Sequence, residues 1–190
     1  IKINNQEYVF CIADVSGKGI SAALLMSNFQ ANLKANVKYN HGNLTLIDLV
    51  HQLNSDVNSA AQGEKFITFF IGYYNCTNRT LKYVNAGHNY PILSSGNDFK
   101  LLNKGCIGLG MFEKLPKVEM EELIIKPNDI LVCYTDGLVE LENDEGEQFE
   151  TERLHEIIKH NFNLSMKNLD KIIFHELDRF KGDSDFLDDT

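Results

Sequence analysis

The apolar residues of this chain recur with two different periods. Over residues 20–38 and 46–61 they return every three or four positions, the spacing that predicts amphipathic helices. Between residues 66 and 135 the apolar runs are shorter and are separated by turn residues, which predicts a succession of strands. Two more helices are predicted at 151–162 and 165–180. With one strand before the first helix included, the predicted strands span residues 7–13, 66–74, 80–85, 90–94, 98–102, 118–125 and 129–135.

The order of these elements indicates the fold class. A strand comes first, then two helices, about six strands and two more helices, so helices and strands are grouped rather than alternating. A doubly wound parallel sheet requires alternation, whereas grouped elements are typical of α+β folds in which helices pack on antiparallel sheet. With 190 residues the chain is long enough for one domain with a substantial core and short for two. The prediction is therefore a single α+β domain over residues 1–190.

Composition argues against several classes of protein. The chain carries 27 acidic and 18 basic residues, a net charge of −9, which disfavours a nucleic-acid-binding protein because such proteins present a basic surface. Its longest strongly apolar stretch is nine residues, at 66–74, whereas a membrane-spanning helix needs about 20. No two of the four cysteines are at CxxC spacing, so a zinc site is not favoured, and a reducing, cytoplasmic setting is expected.

Two aspartates follow apolar runs at points where a glycine-containing turn begins. Asp14 ends the run VFCIAD, and Asp136 ends ILVCYTD with Gly137 directly after it. An ionised carboxylate at the edge of an apolar core is costly unless a cation or donors meet it, and two carboxylates brought together repel each other. A divalent ion removes both costs, and a site made only of oxygen ligands suits Mg²⁺ or Mn²⁺. Further acidic residues stand near the end of the chain, at Asp183, Asp185, Asp188 and Asp189.

Each of these features also has a purely structural interpretation. An aspartate before a glycine often only starts a turn, and an acidic tail is often a solvated surface. The segment GKG at 17–19 precedes a predicted helix and could cradle a phosphate, but the GxxxxGK[ST] spacing of a P-loop is missing. Ser16 and Ser21 lack a GxSxG context, which disfavours a serine nucleophile. His88, in NAGHNYP, is interpreted as a hydrogen-bonded structural histidine.

Four segments and a short tail carry a resemblance to a known family. They are ADVSGKGISAALLMS at 13–27, FITFFIGYYNCTNRTLKYVNAGHNYPIL at 66–93, GLG at 108–110, ILVCYTDGLVELENDEGEQFETERL at 130–154 and the final LDDT at 187–190. In this order they resemble the bacterial SpoIIE-type branch (named for stage II sporulation protein E) of the PPM, or protein phosphatase 2C, family of metal-dependent serine/threonine phosphatases. The resemblance extends over nearly the whole chain.

The resemblance implies a fold and a metal site. The fold would be a four-layer α-β-β-α sandwich, in which two antiparallel sheets lie face to face with helices outside. The site would hold two Mn²⁺ or Mg²⁺ ions, bridged by Asp14, with the backbone carbonyl of Val15 as a further ligand. Asp136 matches the aspartate of the family's later Asp-Gly motif. Asp188 matches the metal aspartate of its last motif, with Asp189 as the alternative.

The resemblance also implies a reaction. The expected activity is hydrolysis of phosphoserine or phosphothreonine on a bacterial signalling protein by a metal-activated water, with Asp14 and Asp136 as the catalytic residues. Expected partners are a phosphorylated STAS-type anti-anti-sigma factor and an upstream sensor or receiver domain. Two alternatives stay open: a pseudophosphatase that serves as a binding module, and a two-metal hydrolase of small phosphoesters.

One motif of that family has no match. The family places an acidic Gly-Asp-x-x-Asp motif on a strand that would precede residue 1, and Glu7 is the only acidic residue before Asp14. The expectation is therefore a domain truncated at both ends, without the strand of the first acidic motif and without the last strand. Loss of that ligand in the natural protein would favour the pseudophosphatase, whereas a longer natural protein would supply it.

Overall fold

The structure, a computed structural model, describes residues 1–39, 45–96 and 98–182, and its contacts divide the chain into two compact units. The first unit comprises Ile1–His88 and Asn103–Lys126, and the second comprises Asn89–Leu102 and the residues from Pro127 onward. Within the described ranges no helix is long and apolar enough to cross a bilayer. In chain order the elements are β1 (Glu7–Val15), α1 (Ile20–Tyr39), α2 (Leu46–Ala61), β2 (Ile67–Asn75), β3 (Thr80–Ala86), β4 (Ile92–Ser95), β5 (Asp98–Leu101), β6 (Gly105–Cys106), β7 (Glu121–Ile124), β8 (Ile130–Val132), α3 (Asp136–Val139), α4 (Glu150–Asn161) and α5 (Met166–Lys181).

The first unit is built on a five-stranded sheet. Its strand order is β1-β2-β3-β6, and β7 also pairs with β3. The pairs β1–β2, β2–β3 and β3–β7 are antiparallel, whereas β3 and β6 are parallel. The apolar faces of α1 and α2 pack on one side of this sheet in a single core cluster. The strands predicted at 7–13, 66–74 and 80–85 are therefore observed as β1, β2 and β3.

Local sequence decides where α2 begins and which side it buries. Thr45 Oγ1 accepts a hydrogen bond from the amide of Asp48 at 3.1 Å, which satisfies one of the amides that the first turn leaves free. Leu53, in the middle of the helix, is fully buried against the sheet. On α1, Phe29 meets Phe69 of β2 edge to face, with ring centroids 5.0 Å apart. Both helices are thus fixed by apolar contacts with β2 and its neighbours.

The N-cap of α2 gives a first testable prediction. Thr45→Ala is expected to lower the free energy of unfolding by about 1 kcal/mol, because the Asp48 amide loses its acceptor. Urea denaturation measures the change. The control is Thr77→Ala, in an exposed turn where the backbone amide of Thr77, rather than its hydroxyl, bonds Asn75. The control is expected to change stability by less than about 0.5 kcal/mol. Equal losses in the two variants would contradict a capping role for Thr45.

The sheet of the first unit has two different faces. One face packs on α1 and α2 and includes Phe69. On the other face Phe70 contacts Phe10 and Tyr83, with ring centroids 6.2 Å and 5.5 Å away. Side chains alternate along a strand, so Asp14, at an even spacing from Phe10 on β1, shares this second face.

The second unit has its own sheet and core. Its three strands are antiparallel in the order β5-β4-β8, and helices α3, α4 and α5 follow them in the chain. Ile92 of β4, Leu154 of α4 and Leu177 of α5 are fully buried in one cluster. Phe149 and Phe180 meet edge to face beside them, with ring centroids 5.2 Å apart. These contacts join the ends of α4 and α5 to the sheet of this unit.

The later strands are shorter than the sequence predicts. β7 covers Glu121–Ile124 of the predicted 118–125, because β3 beyond Tyr83 pairs with β6 instead. The sequence does not predict β6 itself, since two residues carry no periodic pattern and the partner strand is distant in the chain. The helices predicted at 151–162 and 165–180 are observed as α4 and α5.

Candidate functional site

Asp14 stands near the end of β1, where the chain leaves the sheet. It is half-buried and lies directly opposite Thr68 of β2 in the antiparallel ladder. Val15 is the last residue of the strand. The next residue, Ser16, is tied to Phe66 twice: its amide donates to the Phe66 carbonyl, and its Oγ accepts from the Phe66 amide, both at 2.9 Å. These bonds fasten the strand end, so the sheet sets the position of Asp14.

The turn that follows Ser16 requires glycine. Gly17 and Gly19 have φ values of +80° and +88°, in the left-handed region that other residues rarely adopt. The Nζ atom of Lys65 lies 3.0 Å from the place that a Cβ would take at Gly17, and it donates to the Ser16 carbonyl at 3.5 Å. The GKG segment therefore forms a tight exit from β1 into α1.

A buried histidine adjoins this strand end. His88 Nδ1 lies 2.9 Å from Thr68 Oγ1, the hydroxyl of the residue opposite Asp14. His88 is 3% exposed, and its backbone amide donates to Oδ1 of the equally buried Asn85 at 2.8 Å. The interpretation of His88 as a hydrogen-bonded histidine agrees with this geometry. The sequence does not indicate its partner Thr68, because the two residues stand 20 positions apart.

The Gly-Leu-Gly segment at 108–110 is held by a residue that sequence reasoning misses. Asn54, buried on α2, accepts from the Gly110 amide at 2.9 Å and donates to the carbonyls of Phe112 at 3.1 Å and Glu113 at 3.2 Å. Leu109 exchanges two backbone hydrogen bonds of 2.8 Å with Ile67 of β2. The sequence feature that indicates Asn54 is its place among the apolar positions of an amphipathic helix, because a buried side-chain amide needs hydrogen-bond partners.

Asp136 does not stand where the sequence places it. The prediction that an apolar strand ends in Asp136 is wrong, because β8 ends at Val132 and Asp136 is the first residue of the one-turn helix α3. Val132 pairs with Ile92, so the next position would face Pro91, which has no amide to extend the ladder. Asp136 is half-buried, and its Oδ1 atom accepts a hydrogen bond of 2.9 Å from the amide of Gly137. Its carboxylate is therefore fixed by the start of a helix rather than by a sheet.

The predicted ligands are only partly described. Asp188 and its alternative Asp189, with the rest of the acidic tail, lie outside the described residues. Asp14 belongs to the first unit and Asp136 to the second. Over the part of the chain that the structure describes, no three His, Cys, Asp or Glu side chains are grouped closely enough to hold a metal ion. The four-residue ligand set thus stays a prediction.

The chemistry of the described donors fits a hard divalent cation. Asp14 and Asp136 offer carboxylate oxygens, Val15 offers a backbone carbonyl, and both aspartates are partly exposed. The Gly137 amide uses one oxygen of Asp136, and a carboxylate has further lone pairs that a cation can use. Oxygen donors of this kind suit Mg²⁺ or Mn²⁺ better than zinc.

Comparison with solved structures identifies the fold. The SiaA-PP2C domain of Pseudomonas aeruginosa superposes with a TM-score of 0.80 at 14% identity, covering 97% of this chain and 74% of that domain. RsbX in complex with magnesium gives a TM-score of 0.66 at 16% identity, covering 94% of this chain and 76% of RsbX. The α+β class and the phosphatase 2C-like fold predicted from the sequence are confirmed by this likeness.

Comparison of sequences identifies the family. The phosphoserine phosphatase RsbU of Bacillus subtilis is 29% identical over 174 residues, which cover 87% of this chain and 49% of RsbU. The chain therefore spans about half the length of this curated relative. The profile of the family described as stage II sporulation protein E (SpoIIE) matches residues 4–190, almost the whole sequence. The predicted resemblance is confirmed, and the chain belongs to the SpoIIE family.

Proposed function

We propose that this chain is the catalytic domain of a metal-dependent phosphatase that hydrolyses phosphoserine or phosphothreonine on a signalling protein. The observation that carries the proposal is the family match over residues 4–190, which includes both Asp14 and Asp136. The similarity to a phosphoserine phosphatase over 87% of the chain supports the same reaction class. The net charge of −9 fits a protein substrate better than a polyanionic one.

The proposed metal ligands are Asp14, the carbonyl of Val15, Asp136 and Asp188, with Asp189 as the alternative to Asp188. Two Mn²⁺ or Mg²⁺ ions bound there would supply a water of lowered pKa and would neutralise charge on the phosphoryl oxygens. The presence of magnesium in the structure of RsbX supports this choice of ion.

The contributions of the chain itself follow from its contacts. The sheet presents the Asp14 carboxylate at a strand end that Ser16 and Phe66 fasten. The Ser16 hydroxyl accepts a hydrogen bond from the Phe66 amide. This bond extends the pairing of β1 and β2, so the hydroxyl has a structural role. A water nucleophile agrees with this arrangement better than an attacking serine. The start of α3 fixes one oxygen of Asp136 and leaves lone pairs available to a cation.

The partners and the setting stay predictions. A STAS-type anti-anti-sigma substrate and an upstream sensor or receiver domain are inferred from the family alone, and a cytoplasmic location is inferred from the cysteine pattern. The single-domain assignment over residues 1–190 is likewise part of the proposal.

A phosphatase assay tests the proposal. The 190-residue chain is expected to release inorganic phosphate from phosphoserine peptides when Mn²⁺ is added, and to stop when a chelator removes it. The same assay on a version extended upstream through the strand of the Gly-Asp-x-x-Asp motif shows whether a ligand from that strand is needed. Hydrolysis of p-nitrophenyl phosphate without hydrolysis of any phosphopeptide would indicate the small-phosphoester hydrolase instead. No turnover in either version, with no rise in Tm on adding Mn²⁺, would indicate the pseudophosphatase.

A further inference from the structure

Thr68 and Asp14 are neighbours across the ladder of β1 and β2. They are directly opposite each other in the antiparallel register, so their side chains point to the same face of the sheet. The Cβ atoms of such a pair are about 5 Å apart. A threonine hydroxyl at that separation is within reach of an aspartate carboxylate. The neighbour of the proposed metal ligand is therefore a hydrogen-bonding side chain rather than an apolar one.

The direction of the Thr68 hydroxyl is constrained by His88. Threonine is branched at Cβ, which restricts its first side-chain torsion to few rotamers. Its Oγ1 lies 2.9 Å from His88 Nδ1, a hydrogen-bonding distance. When Nδ1 carries the ring proton, it donates to Oγ1, and the hydroxyl proton of Thr68 is then available for donation to the Asp14 carboxylate.

The backbone that carries His88 is itself held in place. Its backbone amide donates to Asn85 Oδ1 at 2.8 Å, and the preceding residue, Gly87, has φ of +68°. A Cβ at Gly87 would lie 2.7 Å from the backbone nitrogen of Gly108, so this turn is packed tightly against the Gly-Leu-Gly segment. His88 is 3% exposed, so its Nδ1 atom lies against Thr68 rather than against solvent. The turn thus delivers a fixed imidazole nitrogen to Thr68.

We propose that Thr68 and His88 are positioning residues that orient the Asp14 carboxylate for metal binding, with His88 Nδ1–H donating to Thr68 and the Thr68 hydroxyl donating to Asp14. This inference rests on the proposed role of Asp14 as a metal ligand. Carboxylates that bind metals are commonly oriented by hydrogen bonds of this kind, and loss of such a bond weakens metal binding by about 10- to 100-fold.

Calorimetric titration of the 190-residue chain with Mn²⁺ tests the proposal. Thr68→Val keeps the shape of threonine without its hydroxyl, and His88→Gln moves the donor away from the Nδ1 position. Both variants are expected to bind Mn²⁺ about 10- to 100-fold more weakly than the wild type. Thr68→Ser and His88→Asn keep a donor in the original place and are expected to stay within about threefold of the wild type. Thr80→Val is the control, since Thr80 is a buried threonine on β3 of the same sheet, opposite Asn75 at the far end of β2 from Thr68.

A second readout examines the imidazole directly. The ¹⁵N shifts of the His88 ring are expected to show the tautomer protonated at Nδ1 in the wild type. Circular dichroism and thermal melting confirm that each variant is folded before its affinity is compared.

Three outcomes would overturn the inference. Wild-type affinity in Thr68→Val, or an equal loss in the Thr80→Val control, would show that the hydroxyl does not orient Asp14. An Nδ1 atom without a proton would exclude the donation to Thr68. Asp14→Asn separates this inference from the proposed function. If it abolishes Mn²⁺ binding while Thr68→Val does not change it, only the positioning role fails. If the wild type binds no Mn²⁺ in either the chain or its extended version, both fail.

Discussion

Asp136→Asn is expected to abolish Mn²⁺-dependent phosphopeptide hydrolysis while leaving the fold unchanged. Asparagine keeps the size of aspartate and keeps an oxygen for the Gly137 amide, so α3 retains its first turn. The change removes one negative charge from the proposed ligand set. Metal ions contribute several kcal/mol to stabilisation of the transition state, so a rate loss of about 10³-fold or more is expected. The measurement is the rate of phosphate release at saturating Mn²⁺.

Glu140→Gln is the matched control for that experiment. Glu140 follows α3 directly and is exposed, and the substitution removes the same charge four residues from Asp136. It is expected to keep the wild-type rate within about fivefold, because two exposed unit charges interact through water by only about 1 kcal/mol. A phosphopeptide turnover that survives in Asp136→Asn, with unchanged thermal melting, would show that Asp136 is not a metal ligand.

Gly105→Ala is expected to lower the free energy of unfolding by about 3 kcal/mol or more, a loss at the upper end for overpacking. A Cβ at Gly105 would lie 1.7 Å from the Asn85 carbonyl oxygen and 2.6 Å from the Asn85 nitrogen. Both atoms belong to backbone, so no side-chain rotation relieves the clash and β6 must separate from β3. The bond from the Asn85 amide to the Lys104 carbonyl, 2.9 Å in the wild type, would be lost with it.

Urea denaturation of Gly105→Ala and Gly108→Ala gives the comparison that decides this prediction. A Cβ at Gly108 meets Met111 Cε at 3.1 Å, the far end of a flexible side chain that can move aside. Gly108→Ala is therefore expected to cost less than about 1 kcal/mol. Similar stability of the two alanine variants would mean that β6 adapts to the added methyl group and that its close approach to Asn85 is not required.

Elements governed by local signals could be predicted from the sequence. The start of α2 at Leu46 follows from the Thr45 cap, and the positions of β1 to β3 follow from their apolar runs to within two residues at either end. Elements governed by pairing could not. β8 stops at Val132 because its partner strand begins after Pro91, a fact that the run of apolar residues through 135 conceals. A strand ends where its partner can no longer donate, and the partner is known only from the fold.

The candidate site shows the same division. The sequence predicts Asp14 because the apolar run and the acidic residue that ends it are adjacent in the chain. The structure places Asp14 near the end of β1, as expected. The sequence does not predict Thr68 and Asn54, since each takes its importance from a partner far along the chain. Asp136 was identified, but the prediction placed its carboxylate on the wrong kind of element.

The contacts of Asn54 and Leu109 protect the Gly-Leu-Gly segment from local opening, although its composition is that of a flexible loop. Asn54 of α2 accepts from the Gly110 amide and donates to the carbonyls of Phe112 and Glu113 just beyond the segment, and Leu109 exchanges two backbone hydrogen bonds with Ile67 of β2. The amides of Leu109 and Gly110 are both used in these bonds, so solvent reaches them only when β2 or α2 separates from the segment. These two amide hydrogens are therefore expected to exchange at the slow rate of the core rather than at the fast rate of a glycine-rich loop.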